Sequence, residues 1–196
     1  MRGARLGLLL VFAFPALCMG AGAVTVRVET EMGEIDVEVD VARAPVTAAN
    51  FLRYVDAGRY DGGRFHRTVR LDNQPGKTVL IEVVQAGVSP TQAEKDFAAI
   101  PLERTSATRL AHKDGAVSMA RDGPDTATSD FFICIGDQPE LDFGGRRNPD
   151  GQGFAAFGRV KAGMDVVRRI QAAPADGQAL APPVVIRRAR RLPASK

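Results

Sequence analysis

The run FHRTVR at residues 65–70 sets a histidine beside an arginine in a stretch otherwise suited to a β-strand. Side chains on a strand alternate between two faces, so Phe65, Arg67 and Val69 share one and His66 and Thr68 the other. An arginine flanked on its own face by two apolar residues is either solvated surface or a positioned cation that awaits a ligand. The strand pattern alone leaves both readings open.

Other chemistries find little support. The chain has only two histidines, His66 and His112, and neither stands at a metal-ligand spacing from Cys, Asp or Glu. No G-x-S-x-G elbow offers a serine nucleophile. RDGPDTATSD at 121–130 lacks the D-x-D-x-D-G order of a calcium loop. GQGFAA at 151–156 matches a dinucleotide fingerprint in letters, but a loop precedes it and a strand-like run follows, the reverse of the strand-then-helix context that grips a pyrophosphate. It reads as a glycine-rich turn entering a strand. Hydrolytic, redox and metal-dependent enzymes lose their usual sequence support, and no cofactor is implied.

The elements that must carry these residues are mostly short strands. VTVRVET, a turn at EMGE and IDVEVD alternate apolar and polar residues, which predicts a hairpin over 24–40. APVTAANFLRYVDAGRY changes to a helical period, with Pro45 suited to a first turn, Val46, Ala49, Phe51, Leu52 and Val55 as an apolar flank and Gly58 as a stop. VLIEVVQAG, GAVSMA, DFFICIG and FAAFGRV read as further strands, KAGMDVVRRIQ as a short helix and PPVVIRRARRL as a closing strand. SPTQAEKDFAAI is helix-capable, with Thr91 and Glu94 at capping-box spacing. LDNQPGKT at 71–78 reads as a polar exposed loop. Many strands and few helices predict a mainly β fold, a closed antiparallel barrel, in one domain over 24–196.

Residues 1–23 stand apart. MRGAR and the apolar LGLLLVFAFPALCMG, followed by the small residues AGA, form a secretory signal that predicts cleavage before Val24. The apolar run is too short for a spanning helix and contains Pro15. Leu17 before Cys18 is bulky for a lipoprotein signal, so no lipid anchor or stable membrane span is expected. Removing Arg2 and Arg5 lowers the formal charge from +3 to +1, which leaves no electrostatic case for nucleic acid. Only Cys134 then remains, with no partner for an internal disulfide, and its apolar neighbours read as burial.

Several segments in a fixed order carry a resemblance: APVTAANFLRYVDAGRYDGGRFHR, VVQAG, GAVSMARDGPDTATSDFFICIGDQPELD and FAAFGRVKAGMDVV. Together they resemble the cyclophilin family of peptidyl-prolyl isomerases over nearly all of the chain after the leader. The resemblance implies an eight-stranded antiparallel barrel closed by two α-helices, a monomer, and rotation about X-Pro peptide bonds as the reaction. Amide resonance makes that rotation slow, tens to hundreds of seconds uncatalysed, yet no bond breaks, so neither nucleophile nor metal is needed. By resemblance, Arg67 donates to the prolyl nitrogen as the amide twists. A charged hydrogen bond in a dry site contributes about 3 kcal/mol, roughly two decades of rate.

The resemblance also implies a substrate site. Phe132, Leu141 and Val83 line the proline pocket, Gln85 orients the arginine, Ala120 and Arg121 supply the backbone along which the substrate lies, and His66 is either the arginine's companion or a structural histidine. Departures from the family pattern are also plain. Glu82 and Val83 stand where Phe and Met are usual, which implies a shallower pocket with an acidic wall. Asp130 replaces a glutamine on the face of Phe132, where it could pair bidentately with Arg67 and hold it from substrate. Glu140 and Phe154 occupy rim positions usually held by His, Tyr or Trp. The leading expectation is an exported, periplasmic or secreted isomerase acting on proline-containing peptides and unfolded exported proteins. The alternative is a proline-binding module or chaperone with little catalysis. A small-ligand carrier is the remote third.

Overall fold

A computed structural model describes residues 24–193. The proposed leader, with Cys18, lies outside the described residues. The strands are β1 (Val24–Thr30), β2 (Gly33–Val39), β3 (Arg64–Val69), β4 (Val83–Gly87), β5 (Ala116–Met119), β6 (Phe131–Cys134), β7 (Ala155–Ala162), β8 (Ala175–Asp176) and β9 (Ala179–Arg191). They follow the order β1-β2-β7-β5-β6-β4-β3-β9, and β1 pairs with β9 to close the ring. All pairings are antiparallel, and two-residue β8 only extends the edge of β9. The expected eight-stranded closed barrel is therefore present.

The hairpin of β1 and β2 shows how alternation builds it. Val26 faces Val37 and Val28 faces Ile35, all buried, while Arg27 and Asp36 meet on the other face through two hydrogen bonds of 2.8 and 2.9 Å. Gly33 closes the turn at φ 133°, and a side chain there would collide with Val166. Helix α1 (Pro45–Asp56) buries Phe51, Leu52 and Val55 of the expected flank against the barrel core together with Ala48, whereas Val46 and Ala49 are exposed because the helix turns a different face inward over its first turn. Its cap position is Ala44, which has no side chain to satisfy the first amides. Glu103 does so from 56 residues away, accepting from the Thr47 amide at 2.7 Å and the Thr47 hydroxyl at 2.6 Å. Between Phe51, Tyr60, Phe131 and Phe157 ring centroids lie 5.0–5.5 Å apart, forming the aromatic centre of the core.

The helix expected over 89–100 is one turn only, α2 (Pro90–Ala93), with no side-chain cap. Tertiary contacts override it: Phe97 packs edge-on to Tyr54 at 4.7 Å and donates its amide to the Tyr54 hydroxyl at 2.8 Å. A second single turn, α3 (Thr105–Thr108), precedes β5. Helix α4 (Met164–Gln171) forms where a short helix is expected and buries Val166, Val167 and Ile170. The strand expected over 79–87 begins only at Val83, because the Gln74 side chain takes the place of a ladder partner, bonding both the amide and the carbonyl of Ile81.

Candidate active site

Two apolar clusters divide the protein. Val84, Ala86, Phe131 and Ile133 point into the barrel core, whereas Val83, Phe132 and Cys134 join Val69, Ile81, Ala116 and Leu141 in a smaller cluster. Adjacent residues thus serve opposite faces, as the pleat requires. The smaller cluster, with Ala120 and Phe154 packed on it, floors a groove of about 500 Å³.

Arg67 reaches this groove through a β-bulge. The register shifts between Phe65 and Arg67 on both neighbouring ladders, so Phe65 pairs with Ala86, which faces the core, and Arg67 pairs with Gln85, which faces the groove. The expectation that Phe65 and Arg67 share a face is wrong, because the extra residue, His66, reverses the parity.

The guanidinium is held by two glutamines. Its Nη1 donates to Gln85 Oε1 at 3.0 Å, and its Nε and Nη2 donate to Gln178 Oε1 at 3.0 and 2.6 Å. Burial lowers its pKa from the ordinary guanidinium value, yet arginine keeps its charge at neutral pH. Gln85 turns its Nε2 to Asp130 Oδ2 at 2.9 Å. Burial raises the Asp130 pKa from its ordinary value, opposed by the Gln85 hydrogen bond and by the neighbouring His66. His66 Nε2 lies 3.4 Å from the same oxygen. Gly87 leaves room for this carboxylate, since a side chain there would collide with Asp130 Oδ1.

Two expectations about charge are corrected. Asp130 makes no ion pair with Arg67, because Gln85 stands between them and satisfies both. Nor does Glu82 form an acidic wall: it points away from the groove and accepts from Gln171 Nε2 at 3.0 Å.

Arg67, Val83, Gln85, Ala120, Arg121, Asp130, Phe132, Leu141 and Phe154 all line the groove, while His66 sits beside Asp130 without lining it. Phe132 is braced from both sides: His112 stacks on it at 5.9 Å and Phe154 meets it edge-on at 5.3 Å. His112 is fixed in turn by Asp142 at 2.7 Å and Ser118 at 2.9 Å. The Arg121 side chain is only 1% exposed and is tied to Asp150 and the Gly153 carbonyl, so it presents backbone, not charge, to a ligand.

Sequence reasoning missed Lys77, Ile81 and Arg147, which also line the groove, and Gln178, which holds Arg67. Lys77 and Ile81 come from the 70–82 loop and Arg147 from the 142–154 loop, and Ile81 joins Val83 in the apolar wall. No local pattern signals any of the four. The assembled site offers a fixed cation at the edge of an apolar pocket, with glutamine carbonyls rather than carboxylates on the cation. Such a site can grip an apolar ring and donate to a neighbouring nitrogen.

Comparison with known proteins agrees with this geometry. A family model described as cyclophilin type peptidyl-prolyl cis-trans isomerase matches residues 25–191. A Streptomyces antibioticus peptidyl-prolyl cis-trans isomerase is 36% identical over 148 residues, 75% of this chain and 82% of the relative. An Acinetobacter baylyi peptidyl-prolyl cis-trans isomerase is 35% identical over 150 residues, 76% of this chain and 72% of the relative. Among solved structures, a Cryptosporidium parvum cyclophilin type isomerase superposes with a TM-score of 0.70 at 21% identity, covering 88% of this chain and 99% of that one. The same Cryptosporidium protein in the presence of the dipeptide Ala-Pro gives 0.69, at 86% and 99% coverage. With barrel, groove arginine and relatives in agreement along one continuous stretch, the chain belongs to the cyclophilin-type peptidyl-prolyl cis-trans isomerases.

Proposed function

We propose that this isomerase turns X-Pro bonds by donation from Arg67 to the prolyl nitrogen, with the proline ring against Phe132, Leu141 and Val83. The observation that carries the reading is the arginine's double tether to Gln85 and Gln178 at the edge of the apolar floor. As the amide twists, its nitrogen lone pair localises and becomes a better acceptor. A donor already fixed in place stabilises that state more than the planar one. The Ala-Pro dipeptide present with the Cryptosporidium relative supports proline-containing peptides as substrates.

Of the departures Glu82, Val83 and Asp130 that motivate the binding-only alternative, two lose their force, since Glu82 faces away from the groove and Asp130 bonds Gln85 and not Arg67. The test is cis–trans exchange of an X-Pro peptide measured by NMR with residues 24–196 and with Arg67→Ala, folding checked by circular dichroism. Arg67→Ala is expected to lose about two decades of turnover while keeping its fold. Peptide binding without acceleration by the intact chain restores the alternative.

In the same reading, residues 1–23 direct export and are removed before Val24, and the monomeric domain assists folding of exported proteins in the periplasm or outside the cell. Support is the leader pattern alone. N-terminal sequencing of the exported form checks the cleavage point.

A further inference from the structure

The groove is electrically uneven along its length, and the strand register fixes its two ends. At one, Phe131 pairs with both Ala86 and Met119; at the other, Val83 pairs with Val69 and Cys134. Asp130 and Ala120 lie just beyond the first end, and the 70–82 loop begins beyond the second. Along β6, Asp130 and Cys134 are four residues apart, about 13 Å. Carboxylates of Asp122 and Asp130 line the groove on the first side, whereas the 70–82 loop contributes Lys77. Arg147 joins Lys77, because its Nη1 donates to the Val79 carbonyl of that loop at 2.7 Å.

These two cations differ from the other groove arginine of the 121–154 region. Arg121 is saturated by Asp150 and Gly153. Among the described residues neither Lys77 nor Arg147 has a carboxylate at ion-pair distance, and Arg147 has one hydrogen bond from a guanidinium that carries five donors. Burial and the positive charge of Arg67 both lower the Arg147 pKa, so the two guanidiniums repel each other across the groove. An anion beside Arg147 relieves that repulsion.

We propose that Lys77 and Arg147 form a specificity subsite for the carboxylate of an Asp or Glu that follows the isomerised proline. The proposal rests on the proline site given above and includes a chain direction: the residues before the proline lie along Ala120 and Arg121, the proline sits over Phe132 and Leu141, and the residues after it leave at the Lys77 end. An acidic side chain there meets two cations, while one placed before the proline meets Asp122 and Asp130.

The test compares three end-blocked peptides, Ala-Ala-Pro-Glu-Ala, Ala-Ala-Pro-Gln-Ala and Glu-Ala-Pro-Ala-Ala, by NMR exchange and by titration of residues 24–196. At low ionic strength the first is expected to exceed the second about fivefold in kcat/KM, the size of a favourable partly exposed charge pair, and the gap closes with added salt. The ratio falls toward one in Lys77→Gln and in Arg147→Gln. Lys77 is exposed with no side-chain hydrogen bond among the described residues, so its replacement leaves folding intact even if loss of the Val79 contact disturbs the loops. Equal rates for Glu and Gln, an equal gain for Glu before the proline, or a preference that survives both substitutions overturns the proposal. If no peptide is accelerated, the isomerase reading fails on its own, and the dissociation constants of the same three peptides still decide the subsite.

Discussion

Gln178 accepts two hydrogen bonds from Arg67, from Nε at 3.0 Å and Nη2 at 2.6 Å, across 111 residues of sequence. The glutamine is itself fixed, since its Nε2 donates to the Asn73 carbonyl at 3.0 Å. Asn73 in turn bonds the carbonyls of Thr68 and Gly177 at 3.0 Å each. The 70–82 loop therefore does more than cover the surface: its first residues hold the turn that holds the arginine.

Gln178→Ala is expected to lower kcat/KM about tenfold, the value of one to two hydrogen bonds to a charged group. Global stability should change little, because the freed guanidinium can be solvated. Exchange kinetics beside thermal unfolding separate the two. Equal loss of stability and rate would mean that Gln178 supports the fold and not the arginine.

Asp130 gives a pH signature. Its pKa is raised above 3.8 in the folded protein, chiefly by burial, so the folded state holds this proton at pH values where the unfolded state has lost it. Its contribution to stability therefore declines as pH rises from about 3.8 through the raised value. Asp130→Asn should remove that decline, unfolding at higher denaturant than the parent at neutral pH and converging with it in acid. Because Asp130 does not restrain Arg67, turnover should change by less than about threefold. Denaturant midpoints from pH 3 to 8 measure the first effect and NMR exchange the second.

Cys134 should be chemically silent. Burial pushes its thiol far above the ordinary cysteine range, and the thiolate is the reactive form. In residues 24–196, a thiol-specific chromogenic reagent should titrate no sulfhydryl natively and one equivalent after unfolding. Fast native reaction would mean that the smaller apolar cluster opens readily.

Glu103→Ala should destabilise by about 2 kcal/mol, since it removes the carboxylate that caps α1 and strands the buried Thr47 hydroxyl. Urea unfolding of parent and variant gives the value. A change below about 0.5 kcal/mol would show that water replaces the cap.

The sequence was most legible where one period ran unbroken. The hairpin, α1 and α4 each form where a simple repeat places them; in α1 the repeat picks out the buried Phe51, Leu52 and Val55 but also the exposed Val46 and Ala49. Strand parity correctly puts Asp130 on the face of Phe132, and the resemblance places Phe132 in the pocket, where the smaller cluster holds it while Phe131 faces the core. Parity failed where one residue breaks the count. Nothing in FHRTVR marks His66 as surplus, and without the bulge Arg67 falls on the core side. Matching by family position misplaced Glu82, because position does not say which way a side chain turns once Gln171 offers it a hydrogen bond. Lys77, Arg147 and Gln178 reach the site through loops folding back over long separations, which no local pattern encodes.

The bulge has a genetic corollary. Phe65 pairs with Ala86 and Arg67 with Gln85, consecutive rungs that already close over His66 as though it were absent. Excising the codon for residue 66 would leave every later rung of β3 and β4 in its present frame, with Arg67 still facing outward. Losing a codon at Thr68 instead would shift Val69 by one rung and exchange what the strand shows inside and out. Position 66 is thus where this strand can change length without reversing the faces of the residues that follow, at the loss of the His66 contact with Asp130.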